Sequence, residues 1–144
     1  MGFASGDRLT ATRLNNLQPA VYGAIGSGTV AASQTNVDVT DATVTFTTLT
    51  DGAQYIAWCV WDYNASGAPA GTSTARMVID GASQSPLATF NASGATERNT
   101  VSQVYQGTIA SAGSHTFKLI ATTSTNTTVL GVNSSITVQI LEVV

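Results

Sequence analysis

From about residue 28 onward, apolar and polar positions alternate with a period of two. In ATVTFTTL, Val44 and Phe46 alternate with threonines. In HTFKLIATT, Phe117, Leu119 and Ala121 do the same, and in SITVQILEV so do Ile136, Val138 and Ile140. Successive side chains of an extended strand point to opposite sides, so this pattern predicts strands with one face buried. The run QYIAWCVWDY is apolar on both faces, with Tyr55, Ala57, Cys59 and Trp61 on one and Ile56, Trp58 and Val60 on the other. It predicts a central strand covered on both sides, by a second sheet on one and by a neighbouring subunit or an arm on the other. TVAASQTNVDV, STARMVID, SPLATF and NTVSQVYQGTI complete the strand candidates, separated by turn signals such as Asp51-Gly52, Asp80-Gly81, Ser66-Gly67 and Ala112-Gly113. About eight strands at roughly ten-residue spacing predict an all-β fold, a jelly-roll β-sandwich of antiparallel strands. The pentapeptide NASGA occurs at Asn64 to Ala68 and again at Asn91 to Ala95, and both copies read as loops.

The first 25 residues have a different texture. Thr10 is a good N-cap, and Leu9 and Leu14 flank it where a hydrophobic staple would form. Leu14 and Leu17 share a face, and Pro19 ends the pattern. A helix of about two turns cannot stand alone in water, so it must dock on something. GAIGSG lacks the glycine pattern and the Lys-Ser/Thr ending of a phosphate loop and reads as a flexible joint at Gly26 to Gly28. The expected division is an N-terminal arm with one short helix over 1–27 and a sandwich over 28–144.

Composition narrows the class. Of 144 residues 43% are hydrophobic and only 9% charged, while 14 Ser, 23 Thr and 13 Gly supply the missing polarity. That excludes a charged disordered tail and a coiled coil. No run reaches the roughly 18 apolar residues of a membrane-crossing helix, and no basic-then-apolar leader opens the chain, so no membrane partner is expected. Net charge is -3, and Arg8, Arg13, Arg76, Arg98 and Lys118 are scattered singly, which argues against nucleic acid. Faces carrying Thr, Ser and Ala in place of Lys and Glu can be buried against another copy without stranding a charge, so the low charge favours assembly.

Candidate chemistry is sparse. His115 is the one histidine, placed by its turn at a wet sheet rim as a surface or interface residue. Cys59 lies in the most apolar strand and reads as a packed thiol, with no partner for an internal disulfide. One His and one Cys cannot assemble a usual zinc set, Asp38, Asp41 and Asp51 lack calcium-loop spacing, and Glu97 and Glu142 carry no paired-carboxylate signature. No catalytic residue, metal or cofactor is expected, and the chain reads as no enzyme. The Asn-x-Ser/Thr matches at Asn64, Asn91, Asn126 and Asn133 follow from composition. Tyr55, Trp58, Trp61 and Tyr63 read first as core, with a carbohydrate platform as the alternative.

The pattern F-x-x-G-[DE]-x-L-T-A-x-x-L-N, here on Phe3, Gly6, Asp7, Leu9, Thr10, Ala11, Leu14 and Asn15, resembles the opening of small structural proteins of tailed bacteriophages. Gly113, His115, Thr116, Phe117 and Leu119 resemble the late strands of trimeric jelly-roll modules similar to the tumour-necrosis-factor and C1q group. The resemblance implies a capsid decoration protein, a homotrimer on the outer surface of the virion after synthesis in the host cytoplasm, with major capsid protein as partner. Phe3, Arg8, Leu9, Arg13, Leu14, Leu17 and Tyr22 would then form the capsid-binding arm, and Tyr55, Trp58, Trp61, Tyr105 and Phe117 the subunit interface or core. The alternative it leaves open is a minor tail or receptor-binding protein in which Trp58, Tyr63 and the loops 64–72 and 91–99 bind host surface glycan.

Overall fold

A computed structural model describes residues 19–142. Eleven strands follow one another: β1 (Ala20–Ile25), β2 (Thr29–Val30), β3 (Val37–Thr48), β4 (Ala53–Ala70), β5 (Ser73–Ile79) and β6 (Ala82–Ser83), then β7 (Ala88–Phe90), β8 (Arg98–Ile109), β9 (Gly113–Thr122), β10 (Thr125–Leu130) and β11 (Ser135–Leu141). Every pairing is antiparallel.

In the first sheet β8 pairs with one side of β4, while β10 and β11 lie end to end along its other side. β2 then pairs with β10 and β1 with β11. The second sheet runs β3-β9-β5, with the short β6 and β7 both on the far edge of β5. Each sheet is four strands wide, and the two form the all-β jelly-roll sandwich that the alternating pattern predicts.

The period of two accounts for the core. Tyr55, Ala57, Cys59, Trp61 and Tyr63 of β4 meet Val44, Phe46, Met77, Phe117 and Leu119 of the second sheet in one buried cluster. Burying an apolar side chain of this size stabilises by about 1.5–3 kcal/mol, and four strands a side contribute many. Rings lace the sheets together: Tyr22 stacks on Phe46 at 5.0 Å, Phe46 tilts against Phe117 at 5.1 Å, and Tyr55 meets Phe117 edge-on at 5.1 Å.

Several expectations are corrected. Ala20–Ile25, assigned to the arm, is a strand in full register with β11, and Tyr22 is part of the sandwich core's border and not of an anchoring arm. The sandwich therefore begins at Ala20 and not at residue 28. The glycine joint is a fixed crossing: a Cβ on Gly131 would lie 2.1 Å from the Ser27 carbonyl oxygen, and one on Gly26 would lie 2.7 Å from the Gly131 oxygen. Only glycine lets the two backbones approach this closely. Hydrogen bonds from the Gly26 amide to the Ser134 oxygen (2.8 Å) and from the Gly131 amide to the Gly28 oxygen (2.9 Å) pin the crossing. The long strand expected over TVAASQTNVDV splits into β2 and the start of β3, because Ser33 and Asn36 between them adopt positive φ (58° and 51°). The first NASGA lies inside β4, paired with β10, whereas the second is a turn. The short helix and Phe3, Arg8, Leu9, Arg13, Leu14 and Leu17 lie outside the described residues.

Candidate self-assembly face

Alternation along β4 sends Gln54, Ile56, Trp58 and Val60 away from the core. Antiparallel register aligns them with neighbours in rows across the sheet. One row reads Val21, Gln139, Ile56, Gln106, the next Gly23, Thr137, Trp58, Val104, and the third Ile25, Ser135, Val60, Ser102. No Asp, Glu, Lys or Arg occurs in these twelve positions. Val21 is 64% exposed, Ile25 69%, Trp58 42% and Val104 48%. The second sheet covers β4 on one side as expected; on the other, among the described residues, the outer face of the first sheet is open. Monomeric proteins seldom expose contiguous apolar patches above a few hundred Å².

One row along from Trp58 the face holds a hollow of about 420 Å³ lined by Gln54, Ile56, Gln106, Thr108, Gln139 and Leu141. Among the described residues none of these three carboxamides has a side-chain hydrogen-bond partner. They are planar groups that both donate and accept.

A charge pair closes one end of the face. Asp62, the next outward position of β4, is buried, and Arg98 Nε donates to its two oxygens at 3.0 and 3.1 Å. Asn133 Nδ2 donates to Oδ2 at 2.8 Å, and the Asp62 amide donates to Ser134 Oγ at 3.2 Å. The Arg98 hydrogen bonds hold the Asp62 carboxyl below its ordinary range against the opposing effect of burial. The carboxylate is charge-paired and hydrogen-bonded, as a buried charge must be.

The residues assigned to interface or core divide. Tyr55, Trp61, Tyr105 and Phe117 are core; Trp58 alone is in the open face. Tyr63 is fully buried and stacked on Phe90 at 5.0 Å, so it takes no part in an exposed platform. Cys59 is fully buried, and burial pushes its thiol up to about 12, far from a reactive thiolate.

His115 is not at a wet rim. It is 6% exposed, with Nδ1 2.7 Å from Asp80 Oδ2 and Nε2 3.0 Å from the Ser111 carbonyl oxygen. Asp80 Oδ1 accepts the Thr116 amide at 2.7 Å. Burial raises the Asp80 carboxyl, but the hydrogen bonds from His115 and Thr116 outweigh it and the net direction is down. Both ring nitrogens are engaged inside the fold, and a backbone carbonyl stands where a nucleophile would need to be. The arrangement clasps the turn after β5 to the β8–β9 connection. The other carboxylates also fix loops: Glu142 accepts the Leu49 and Thr50 amides at 2.6 and 3.1 Å, and Glu97 accepts those of Ser93 and Gly94 at 2.6 and 3.2 Å. Asp38, Asp41 and Asp51 are spread over separate partners, Lys118, Ser27 and the Ala112 amide.

No protein-family model matches the chain, and no curated protein matches it in sequence. Solved structures do match in shape. The chain is similar to the Eiger TNF of S. frugiperda at 10% identity, over 86% of this chain and 93% of that one, with a TM-score of 0.53. It is also similar to murine APRIL (9% identity, 86% and 100% covered, TM-score 0.48) and to the globular domain of zebrafish complement 1qA (9%, 84% and 95%, 0.47). The likeness to the Eiger TNF, at that identity, shows the fold alone, a jelly-roll sandwich.

Proposed function

We propose that this chain is a non-enzymatic capsid decoration protein of a tailed bacteriophage, a homotrimer whose subunits meet through the open face of the first sheet and seat on the outer surface of the assembled shell. The observation that carries self-association is the uncharged face on which Trp58 and Val104 stand exposed side by side. Its Gln, Thr and Ser side chains donate and accept alike, so a second copy complements it without stranding a charge. The virion role is supported by the phage-like opening of the sequence around Phe3, Leu9 and Leu14. Binding only the assembled lattice stabilises that lattice by mass action, and three tethered contacts per trimer add effective concentration.

The test is copy number in purified virions together with a deletion of residues 1–18, which stops short of β1. Hundreds of copies, and a folded trimer that no longer binds shells after the deletion, are expected. A handful of copies, or retained binding, overturns the reading. One observation favours a second reading, a tail protein that binds host glycan: exposed Trp58 shares the face, one row along, with the hollow of three carboxamides, the ring suited to stacking on a neutral sugar and the carboxamides to bonding its hydroxyls. Saturable binding of neutral host polysaccharide, lost in Trp58→Ala, would move the assignment there.

A further inference from the structure

Unpaired sheet edges invite pairing with another chain, and proteins blunt them with short strands, breaks, bulges, prolines or charges. Three of the four edges here carry such devices. On the first sheet, β1 and β2 are six and two residues long and are interrupted at the Gly26 crossing. On the second sheet, β3 is bulged between Asp38 and Thr43, with Asp41 at φ 62° and both carboxylates on the edge strand. The opposite edge consists of β6 and β7, two and three residues long, with Pro86 between them.

β8 has no break, bulge or proline, and its one charge, Arg98, stands at its very end, bonded to Asp62. Its twelve residues match Ala53 to Asn64 of β4 without a register shift. From Asn99 to Ile109 it contains no charge and no proline. Alternate backbone groups of an edge strand point away from its one neighbour. Among the described residues β8 has no other strand partner, and the side-chain bond from Gln103 Nε2 to the Val104 oxygen (3.0 Å) is a local cover for one carbonyl.

We propose that the free edge of β8 pairs antiparallel with β8 of a second copy, about a two-fold axis through Val104. The strand is self-complementary in that register. On the outer face Val104 meets Val104, Ser102 meets Gln106 and Thr100 meets Thr108. The one charge at its end, Arg98, falls opposite Ala110 and keeps its bonds to Asp62. No like charges oppose, and β-branched and hydroxyl pairs are favourable cross-strand neighbours. The pairing joins two first sheets edge to edge. It uses the backbone edge of β8, whereas the trimer contact uses the side chains of the face, Val104 bordering on both, and it provides a link between trimers.

Register-specific disulfide formation tests it, since Cys59 is fully buried and an introduced thiol is the accessible one. Directly opposed residues have Cα atoms about 4.5–5.5 Å apart, within disulfide reach, whereas Thr100 and its own copy would be separated by eight strand steps, roughly 27 Å. Under mild oxidation V104C is expected to give a linked dimer, T100C and T108C alone none, and a mixture of T100C with T108C a linked heterodimer. Linking of T100C alone to the same extent, or no linking in the mixture, overturns the pairing. A wild-type trimer in sedimentation with no linking in the mixture leaves the face reading standing and removes the edge.

Discussion

The two sheets bury the same kind of inner face and show opposite outer ones. On the second sheet Thr43, Thr45 and Thr47 of β3 stand beside Thr116 and Lys118 of β9 and Arg76 of β5. Thr45 and Thr116 hydroxyls lie 3.3 Å apart, and Lys118 Nζ donates to Asp38 at 2.8 Å. The aliphatic residues that point outward there, Val78 and Ile120, are nonetheless buried, at 4% and 5% exposure. The first sheet has the reverse arrangement, with Trp58, Val104, Val21 and Ile25 in the open and no charge among them. Both faces satisfy the strand period equally well, so folding alone does not explain the difference. The second is dressed for water, and the first is the face that the proposed contact between copies would cover.

The sharpest way to break that contrast is to place one carboxylate on each face. Trp58→Asp or Val104→Asp should weaken self-association at least about 100-fold in sedimentation equilibrium, because a buried interface centre tolerates an unpaired charge badly. Thr45→Asp on the other face should leave it unchanged; an equal loss there would erase the distinction. A smaller effect separates the two ion pairs. Asp62→Ala, which empties the buried end of the open face, should cost about 2 kcal/mol in urea unfolding, below the fully buried case because Arg98 is half in water. Lys118→Ala on the solvated face should cost less than about 0.5 kcal/mol. Smallest and most gradual is the acid response. The Asp62 and Asp80 carboxyls are both held below their ordinary values in the fold. Their stabilisation is therefore complete above the unfolded carboxylate range, about pH 4, and is lost as pH falls through the depressed folded values. Asp62→Asn should flatten the acid limb of stability against pH, and an unchanged limb would show that this pair contributes nothing to it.

The strand period made the sandwich legible, and the doubly apolar run of β4 marked the strand whose outward face carries exposed Ile56 and Trp58. Alternation is silent on what lies beyond a face, and among the described residues only the second sheet covers β4. β1 escaped notice because glycines next to AVYGAI suggest a joint, whereas Gly26 and Gly131 are glycines because two backbones cross there. β10 escaped because TNTTVL has almost no apolar alternation, and its burial comes from packing Thr127 and Val129 inward. Of the site, Trp58 was visible as an aromatic in the right strand, but its separation from Tyr63 depends on parity along β4. The Asp80–His115 and Asp62–Arg98 pairs join residues 35 and 36 apart in sequence, and no local spacing rule connects them.

The open face has a kinetic consequence as well. A surface without formal charge casts little long-range field, so copies approach it unsteered, at the ordinary 10⁵–10⁶ M⁻¹s⁻¹ of neutral encounters. Ionic strength then has only the weak repulsion between two copies of net charge -3 to screen. How fast the subunits find one another would be governed by their concentration, and hardly at all by the salt around them.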